Sequence, residues 1–549
     1  MPPAQEGPGG GGNADLPAER HWLLSAAERG NDASEIDRRH GNGRGWTDGN
    51  AVVPLVHGAA YFARLHAELS QVGPGDQVWF LDWRGDVSQR LAGHGTELGS
   101  VMTQALDSGA DVRALVWRSH PDLSGYSQRE ALHIGEVLNV AGGEVLLDER
   151  VARFGSHHQK IVLVHRAGRP GDDVAFTGGI DLCHGRGDDE LHEGDPQPIP
   201  MDDRYGPRPA WHDVQLEVRG PAVGDLSEIF RERWSDPTPL GRRVRDRRWF
   251  KRIARQLRPV GKLPPRALAP PPAGAMAVQV LRTYPAKRVP FPFAPRGERS
   301  IALAYAKALA RARALIYVED QYLWSPEVGK VFAAALTRSP ELRMIAVVPR
   351  HPDRDGRVSG PLNRIGQQEA LSIVRAAGGD RVAVYDLENE AGWPIYVHAK
   401  LCMIDDVWLA AGSDNLNLRS WTHDSEVCCS VIDSARDQRA PLDPGGQGDG
   451  ARTLPRELRL RLWREHLGPG VPDEEMLDLH AGFAAWRRSA AALDAWHEKG
   501  QQGPRPAGRV REHRPPAIGT WTARWARPLY RLAVDPDGRP PDLRHTGLF

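Results

Sequence analysis

The sequence contains no apolar run near the ~18 residues that a bilayer-spanning helix requires. Its longest candidates, such as Met344–Val348, are the length of a strand. Met1-Pro-Pro-Ala-Gln-Glu-Gly-Pro and the four glycines after it offer neither a basic nor an apolar leader region, so neither a signal peptide nor a transmembrane anchor is expected. Cysteine is scarce. Cys183, Cys402, Cys428 and Cys429 contain no C-x-x-C pair, which argues against a disulfide framework or a zinc ribbon and for reduced, buried thiols in the cytoplasm. Net charge is absent as well: 71 basic residues face 71 acidic ones, so no global field calls for nucleic acid. Lysine is the last scarcity, eight residues against 63 arginines. No EF-hand, H-E-x-x-H or P-loop pattern occurs, and no metal or cofactor is expected.

What is present is a long chain of ordinary globular composition, 549 residues with 40% hydrophobic and 26% charged. That length implies several domains or one duplicated unit. Helical spacing predicts helices at Trp22–Arg29, Val53–Leu69, Glu97–Ser108, Ser300–Arg313, Val328–Thr337, Arg452–His466 and Asp473–His497. Strands are expected at Val78–Asp82, Val112–Trp117, Val145–Leu147, Lys160–Val164, Leu315–Val318, Arg343–Val348, Arg381–Tyr385 and Lys400–Ile404. After the Pro-rich stretch Gly261–Ala275 the pattern starts again. Val112–Asp122 and Leu342–Asp353 each run from a strand into His-Pro-Asp, and His157-His158-Gln-Lys160 is matched by Val397-His398-Ala-Lys400. The expected fold is α/β: two similar α-β-α sandwich units with mixed central sheets, fused as a pseudo-dimer. The units are residues 45–260 and 276–435, with a partly disordered extension at 1–44, a linker at 261–275 and a helical, Pro/Arg-rich extension at 436–549.

Spacing H-x-K sets His398 and Lys400 on one face of a strand, because side chains alternate with period two. Gly412-Ser413-Asp-Asn415 follows and brings a hydroxyl and a carboxamide to the same edge. The first copy offers His158, Lys160 and then Gly178-Gly179-Ile-Asp181. Two such copies face to face set two imidazoles and two ammonium groups around one phosphoryl group. One imidazole can attack phosphorus while the other protonates the leaving alkoxide, and an unperturbed pKa near 6.5 suits both roles. The lysines offset charge on the non-bridging oxygens without a metal. One histidine among 21 would mean little; two matching pairs, holding two of the eight lysines, mean more.

These residues resemble the phospholipase D superfamily, whose signature is H-x-K-x4-D followed by G-[SG]-x-[ND]. Phe176–Arg186, Trp211-His-Asp213, Gly220-Pro221 with Phe230–Trp234, Tyr317–Tyr322 and Asp424-Ser-Glu426 also look like that family. The resemblance covers about residues 45–435, and its His-His-Gln-Lys and Gly-Gly-Ile-Asp-Leu forms look like the phospholipid-hydrolysing branch. It implies His158 as nucleophile and His398 as general acid, with Lys160, Lys400 and the motif aspartate Asp405 counted with them in the catalytic set. It implies carboxylates held across the halves, Glu426 on His158 and Asp213 on His398. Phosphate contacts are expected from Lys160, Lys400, Gly179, Asp181, Ser413 and Asn415. His165 replaces the first motif's aspartate, and Asp172 or Asp173 can compensate.

The expected activity is hydrolysis of phospholipid headgroup esters to phosphatidic acid, with transphosphatidylation, by a monomer at a membrane or micelle surface. Alternatives are a cardiolipin synthase-like phosphatidyltransferase, a nuclease or other phosphodiesterase, and a non-catalytic binding protein. Neutral charge disfavours nucleic acid. Mixed acid and imidazole in His184–Asp195 could bind a divalent cation, but a solvated rim is the preferred expectation. Arg242–Arg258 is either a contact for anionic headgroups or nucleic acid or, at least as readily, a solvated basic helix.

Overall fold

The computed structural model describes residues 18–118, 128–240, 260–353, 359–544 and 546–549. The glycine-rich start, the run Arg242–Arg258 and His120-Pro-Asp122 lie outside the described residues.

Among the described residues, eight strands precede the Pro-rich stretch: β1 (Thr47–Val56), β2 (Gln77–Asp82), β3 (Asp111–Trp117), β4 (Glu144–Asp148), β5 (Ile161–His165), β6 (Val174–Gly178), β7 (Ala210–His212) and β8 (Val214–Arg219). Ten follow it: β9 (Met276–Tyr284), β10 (Glu298–Arg299), β11 (Leu315–Asp320), β12 (Arg343–Val347), β13 (Val382–Glu388), β14 (Pro394–Val397), β15 (Lys400–Ile404), β16 (Trp408–Gly412), β17 (Glu426–Ile432) and β18 (Val510–Glu512).

The first sheet runs β4-β3-β2-β5-β6-β8-β1, parallel among the first three strands and antiparallel from there on. The second runs β13-β12-β11-β15-β16-β17-β9 with the same directions. The duplication read from local sequence is therefore a strand-by-strand repeat of a mixed sheet. Central strands such as β5 and β15 are buried at every residue, which explains their continuous apolar runs.

Each sheet carries helices on both faces. Gly58–Leu69, Leu98–Asp107 and Gln128–Val140 cover one face of the first sheet, and Ala222–Trp234 covers the other. Ser300–Arg311, Pro326–Arg338 and Ser359–Gly378 lie on the second sheet as Thr453–Leu467 and Leu479–Glu498 do on its opposite face. The inner faces share one apolar core, in which Trp79, Leu163 and Phe230 join Tyr317, Leu401, Trp463 and Trp486. The second sandwich therefore extends past residue 435, where the sequence reading ended it. The two halves are also stitched by backbone: Thr47 and Asn50 of β1 pair with Val278 and Met276 of β9, and β7 runs parallel to β14.

Three predicted helices change, the last of them Asp473–His497, which divides at Asp478, the cap of Leu479–Glu498. Val53–Leu69 divides into β1 and a helix that starts at Gly58. Val52 and Val56 are buried and Val53 is exposed, a period of two, and helical spacing holds only beyond His57. Trp22–Arg29 breaks at Ser25, which caps a new helix in a capping box with Glu28.

Candidate active site

Both H-x-K segments lead into the strand that pairs with the last parallel strand of its sheet. Asp320, at the end of β11, faces Lys400, and Leu81 next to Asp82 faces Ile161 next to Lys160. Each histidine is then fixed from the opposite half. The N–H of His158 donates to the carbonyl of Ser425 at 2.9 Å, and that of His398 to the carbonyl of His212 at 2.8 Å. The residues after those carbonyls are Glu426 and Asp213. Hence Nδ1 of His158 is hydrogen-bonded to Oε2 of Glu426 at 2.9 Å, and Nδ1 of His398 to Oδ2 of Asp213 at 2.7 Å. The Nδ1 of each ring is occupied by a carboxylate, which directs Nε2 into the cleft. His158 packs edge-on to Trp83, and His398 lies against Trp211.

Lys160 donates to the carbonyl of His158 at 3.0 Å. Lys400 donates to the carbonyl of His398 and, at 3.1 Å, to the side-chain oxygen of Gln321. Burial, aided by Lys160, lowers Lys400 to about 7. Burial and the charges of Lys160 and Lys400 push His158 well below the ordinary histidine value. Burial, Lys400 and Arg186 do the same to His398. Both rings thus depart from the unperturbed value expected. Burial, with Asp424 nearby, raises Glu426 to about 8. The shifts of His158 and Glu426 both disfavour an imidazolium–carboxylate pair in a buried site.

The four expected phosphate contacts other than the lysines separate. Asn415 lines the cleft, and its buried Oδ1 has no hydrogen-bond partner. Ser413 instead donates its hydroxyl to Oε2 of Glu426 at 2.5 Å, so it holds a carboxylate rather than a phosphate. Asp181 is spent on Arg186, with Nε at 2.7 Å from Oδ1. Burial opposes its charge, but Arg186 and Lys160 overcome this and leave Asp181 well below the usual carboxylate range. Arg186, unforeseen in the sequence, lines the cleft and lies 4.1 Å over the Trp211 ring. Gly179 stands where a Cβ would come within 2.1 Å of Oδ1 of Asp213, so the residue must be glycine for that carboxylate to keep its place. The asymmetry between Gly179 and Ser413 follows.

Asp405 needs a correction too. It lies at the far end of β15 from Lys400, and its carboxylate accepts the backbone N–H groups of Arg313, Ala314 and Leu315 at 2.8 Å each. It fastens the β15 turn to the start of β11 and takes no part in the cleft. In the first copy the direction is reversed: Asp76, before β2, accepts the N–H of Ala167 at 2.8 Å. His165, in the aspartate's place, is held by Asp173 at 2.8 Å and by Ser227 at 3.1 Å. Asp173, not the exposed Asp172, is the residue that compensates.

Asp82 and Asp320 are buried supports at the ends of β2 and β11. Asp82 accepts the N–H of Leu182 at 3.2 Å and Asp320 that of Leu416 at 2.9 Å, which ties each strand end to its glycine loop. Asp82 ends one expected strand and Asp320 follows another, yet nothing in the sequence marked them as supports. The expected solvated rim is also wrong in part, since Asp188, His192 and Asp195 are buried.

His158, His398, Arg186 and Asn415 line one cleft of about 810 Å³ with Trp83, Trp211, Trp324 and Tyr396. A larger cleft of about 1510 Å³, bordered by Arg150, Trp234 and Arg266, contains neither motif. Two nucleophile-capable imidazoles, each oriented by a carboxylate, together with cations and an aromatic wall, can bind and cleave an amphiphilic phosphodiester.

A family model described as Phospholipase D matches residues 88–328, a span that holds His158, Lys160 and Asp213 and stops before His398. The chain is 25% identical to "Phospholipase D alpha 1" of Arabidopsis thaliana over 509 residues, covering 69% of this chain and 59% of that relative. It is 26% identical to "Phospholipase D A" of Dictyostelium discoideum, covering 57% of this chain and 27% of that relative. The chain thus spans about 60% of the length of the plant proteins that it matches. Among solved structures, phosphatidylserine synthase from Haemophilus influenzae Rd KW20 superposes with a TM-score of 0.50 at 13% identity, covering 88% of this chain and 94% of that one.

Proposed function

We propose, from its likeness to the Phospholipase D family model and to the phospholipase D relatives, that the chain is a phospholipase D superfamily member and a phosphodiesterase that cleaves phospholipid headgroup esters through a phosphohistidine. The observation that carries this reading is the crosswise pairing of His158 with Glu426 and His398 with Asp213 around one cleft. His158 Nε2 attacks phosphorus and the ester P–O bond breaks. His398 gives its proton to the departing alkoxide. In the second step His398 takes a proton from water or an alcohol, whose oxygen attacks phosphorus and expels His158. A bound phosphate offsets Lys160, Lys400 and Arg186, and so restores to His398 the proton affinity that those cations remove. Ser413, by donating to Glu426, helps to keep that carboxyl an acceptor for the Nδ1 proton of His158.

The substrate class rests on the cleft wall and on the C-terminal extension. Tyr530, Ala533 and Val534 line the cleft, and Thr520–Leu529 leads to them. This helix buries Ala526 and exposes Trp521 (80%), Trp525 (40%) and Leu529 (45%), with Leu532 beyond it. Trp and Leu on one face, interleaved with Arg524, Arg527 and Arg531 and continuous with the cleft mouth, fit an interfacial helix that rests on lipid headgroups. Among the described residues no helix is long and apolar enough to cross a membrane. Peripheral attachment through the helix Thr520–Leu529 is the reading that its exposed face supports, and four free, buried thiols fit a reducing cytoplasm.

The test is turnover of phosphatidylcholine vesicles in the presence of ethanol, read by mass spectrometry. Phosphatidic acid and phosphatidylethanol from wild type, and neither from His158→Ala, support the reading. Equal turnover by both proteins removes His158 from the chemistry.

A further inference from the structure

Behind Asp213 lies a second set of buried titratable groups that the phosphodiesterase chemistry does not use. His57 precedes the helix Gly58–Leu69, His192 lies in the loop after the first glycine motif, His212 ends β7, and Glu465 and His466 lie in Thr453–Leu467. All four histidines are at most 1% exposed. They converge on one carboxylate. Oε2 of Glu465 lies 3.0 Å from Nε2 of His57, and its Oε1 lies 3.1 Å from Nε2 of His192 and 3.5 Å from Nδ1 of His212. The donor atoms of His57, His192, His212 and Glu465 all fall within 4.8 Å of one another.

Metal–ligand bonds of ~2.0–2.1 Å, as in zinc sites with nitrogen and oxygen donors, give a tetrahedron with edges of ~3.4 Å. The two contacts to Oε1, from His192 and His212, bracket that edge, and His57 reaches the other oxygen of the same carboxylate. The outward nitrogens of His192 and His212 are held as second-shell groups hold ligand histidines, while Nδ1 of His57 is buried without a partner. Oδ2 of Asp188 lies 3.2 Å from Nδ1 of His192. The Glu319 carboxylate takes Nε2 of His212 at 2.7 Å and Nε2 of His466 at 2.8 Å. This leaves Nδ1 of His212 and Nδ1 of His466 aimed toward Glu465, buried and without a hydrogen-bond partner. Nitrogens so placed lack the satisfaction that buried polar atoms usually find. His57 and His192 also occupy left-handed backbone conformations, φ 36° and 55°, and strain of this kind persists where surrounding structure over-determines it.

We propose that His57, His192, His212 and Glu465 form a site for a divalent transition-metal ion, with zinc the class best suited to three nitrogens and one oxygen. The site is closed, and this makes its role structural. It joins four segments: the start of an outer helix, the glycine-motif loop, β7 and the C-terminal helix. Because His212 immediately precedes Asp213 and its carbonyl receives the N–H of His398, the ion also anchors the backbone that positions the proposed acid.

The test uses the full chain purified without chelator and without nickel. Metal content is measured by mass spectrometry before and after incubation with zinc chloride and desalting. About one zinc per chain, retained by wild type and lost by His192→Gln, is the expected result. Asp188→Asn leaves every ligand in place and should weaken zinc binding ~10- to 100-fold, a readout that does not depend on His192→Gln folding. Cobalt in place of zinc should show the intense visible absorption of a tetrahedral ion. Wild type that retains no zinc after incubation, or that retains it no better than His192→Gln and Asp188→Asn do, would mean the cluster is a proton-linked network and would overturn the site.

Discussion

At Lys400 the chemistry has a pH signature. Burial brings its ammonium down to about 7, so the charge is present below that pH and is lost as the pH rises through it. For the free enzyme, kcat/KM on a phosphodiester should therefore fall as the pH rises past about 7. Lys400→Arg keeps its charge and should remove that limb from the pH profile, because guanidinium does not titrate there. An identical limb in both proteins would assign it to another group. Glu426→Gln cannot hold His158 in the same tautomer, and kcat should drop ~10²- to 10⁴-fold with the melting curve little changed. Gly179→Ala tests the close approach to Asp213: a Cβ there meets the carboxylate, so kcat should fall although no reacting group is altered.

The elements explain what the sequence could and could not disclose. H-x-K spacing and the glycine loops were legible from strand alternation and a visible repeat, whereas the crosswise carboxylates were implied by the family resemblance. The roles of Asp181 and Ser413 were not, since their partners Arg186 and Glu426 meet them only after the loops fold back. β1 was read as helix because its alternation runs without a break into a true helical pattern. Asp405 was read by its motif position, whereas its three backbone acceptor bonds belong to a turn. Asp405→Ala should leave those donors unsatisfied, at about 1–3 kcal/mol each, and lower Tm by several degrees while the folded fraction keeps its kcat. A loss of kcat without a loss of Tm would return Asp405 to the chemistry. For Thr520–Leu529, replacing Trp521 and Trp525 with alanine should slow turnover of vesicles and spare a short-chain soluble phosphodiester. Equal loss on both substrates would contradict the interfacial role.

At the scale of the molecule, each half supplies what the other lacks. The repeated sheets bring equivalent strand ends together, but each imidazole receives its carboxylate and its backbone acceptor from across the boundary. The C-terminal extension closes the second sandwich through Trp463 and Trp486 and supplies Tyr530 to the cleft. The shared core argues that neither half keeps its site alone. The covalent intermediate on His158 can be trapped. His398→Asn is mixed with a phosphatidyl ester of p-nitrophenol, whose leaving group needs no proton, quenched in alkali and mapped by peptide mass spectrometry. The account expects a phosphatidyl adduct on His158, formed with a burst of nitrophenol and slow to hydrolyse without the base. Release of nitrophenol with an adduct elsewhere, or with none on His158, would contradict it.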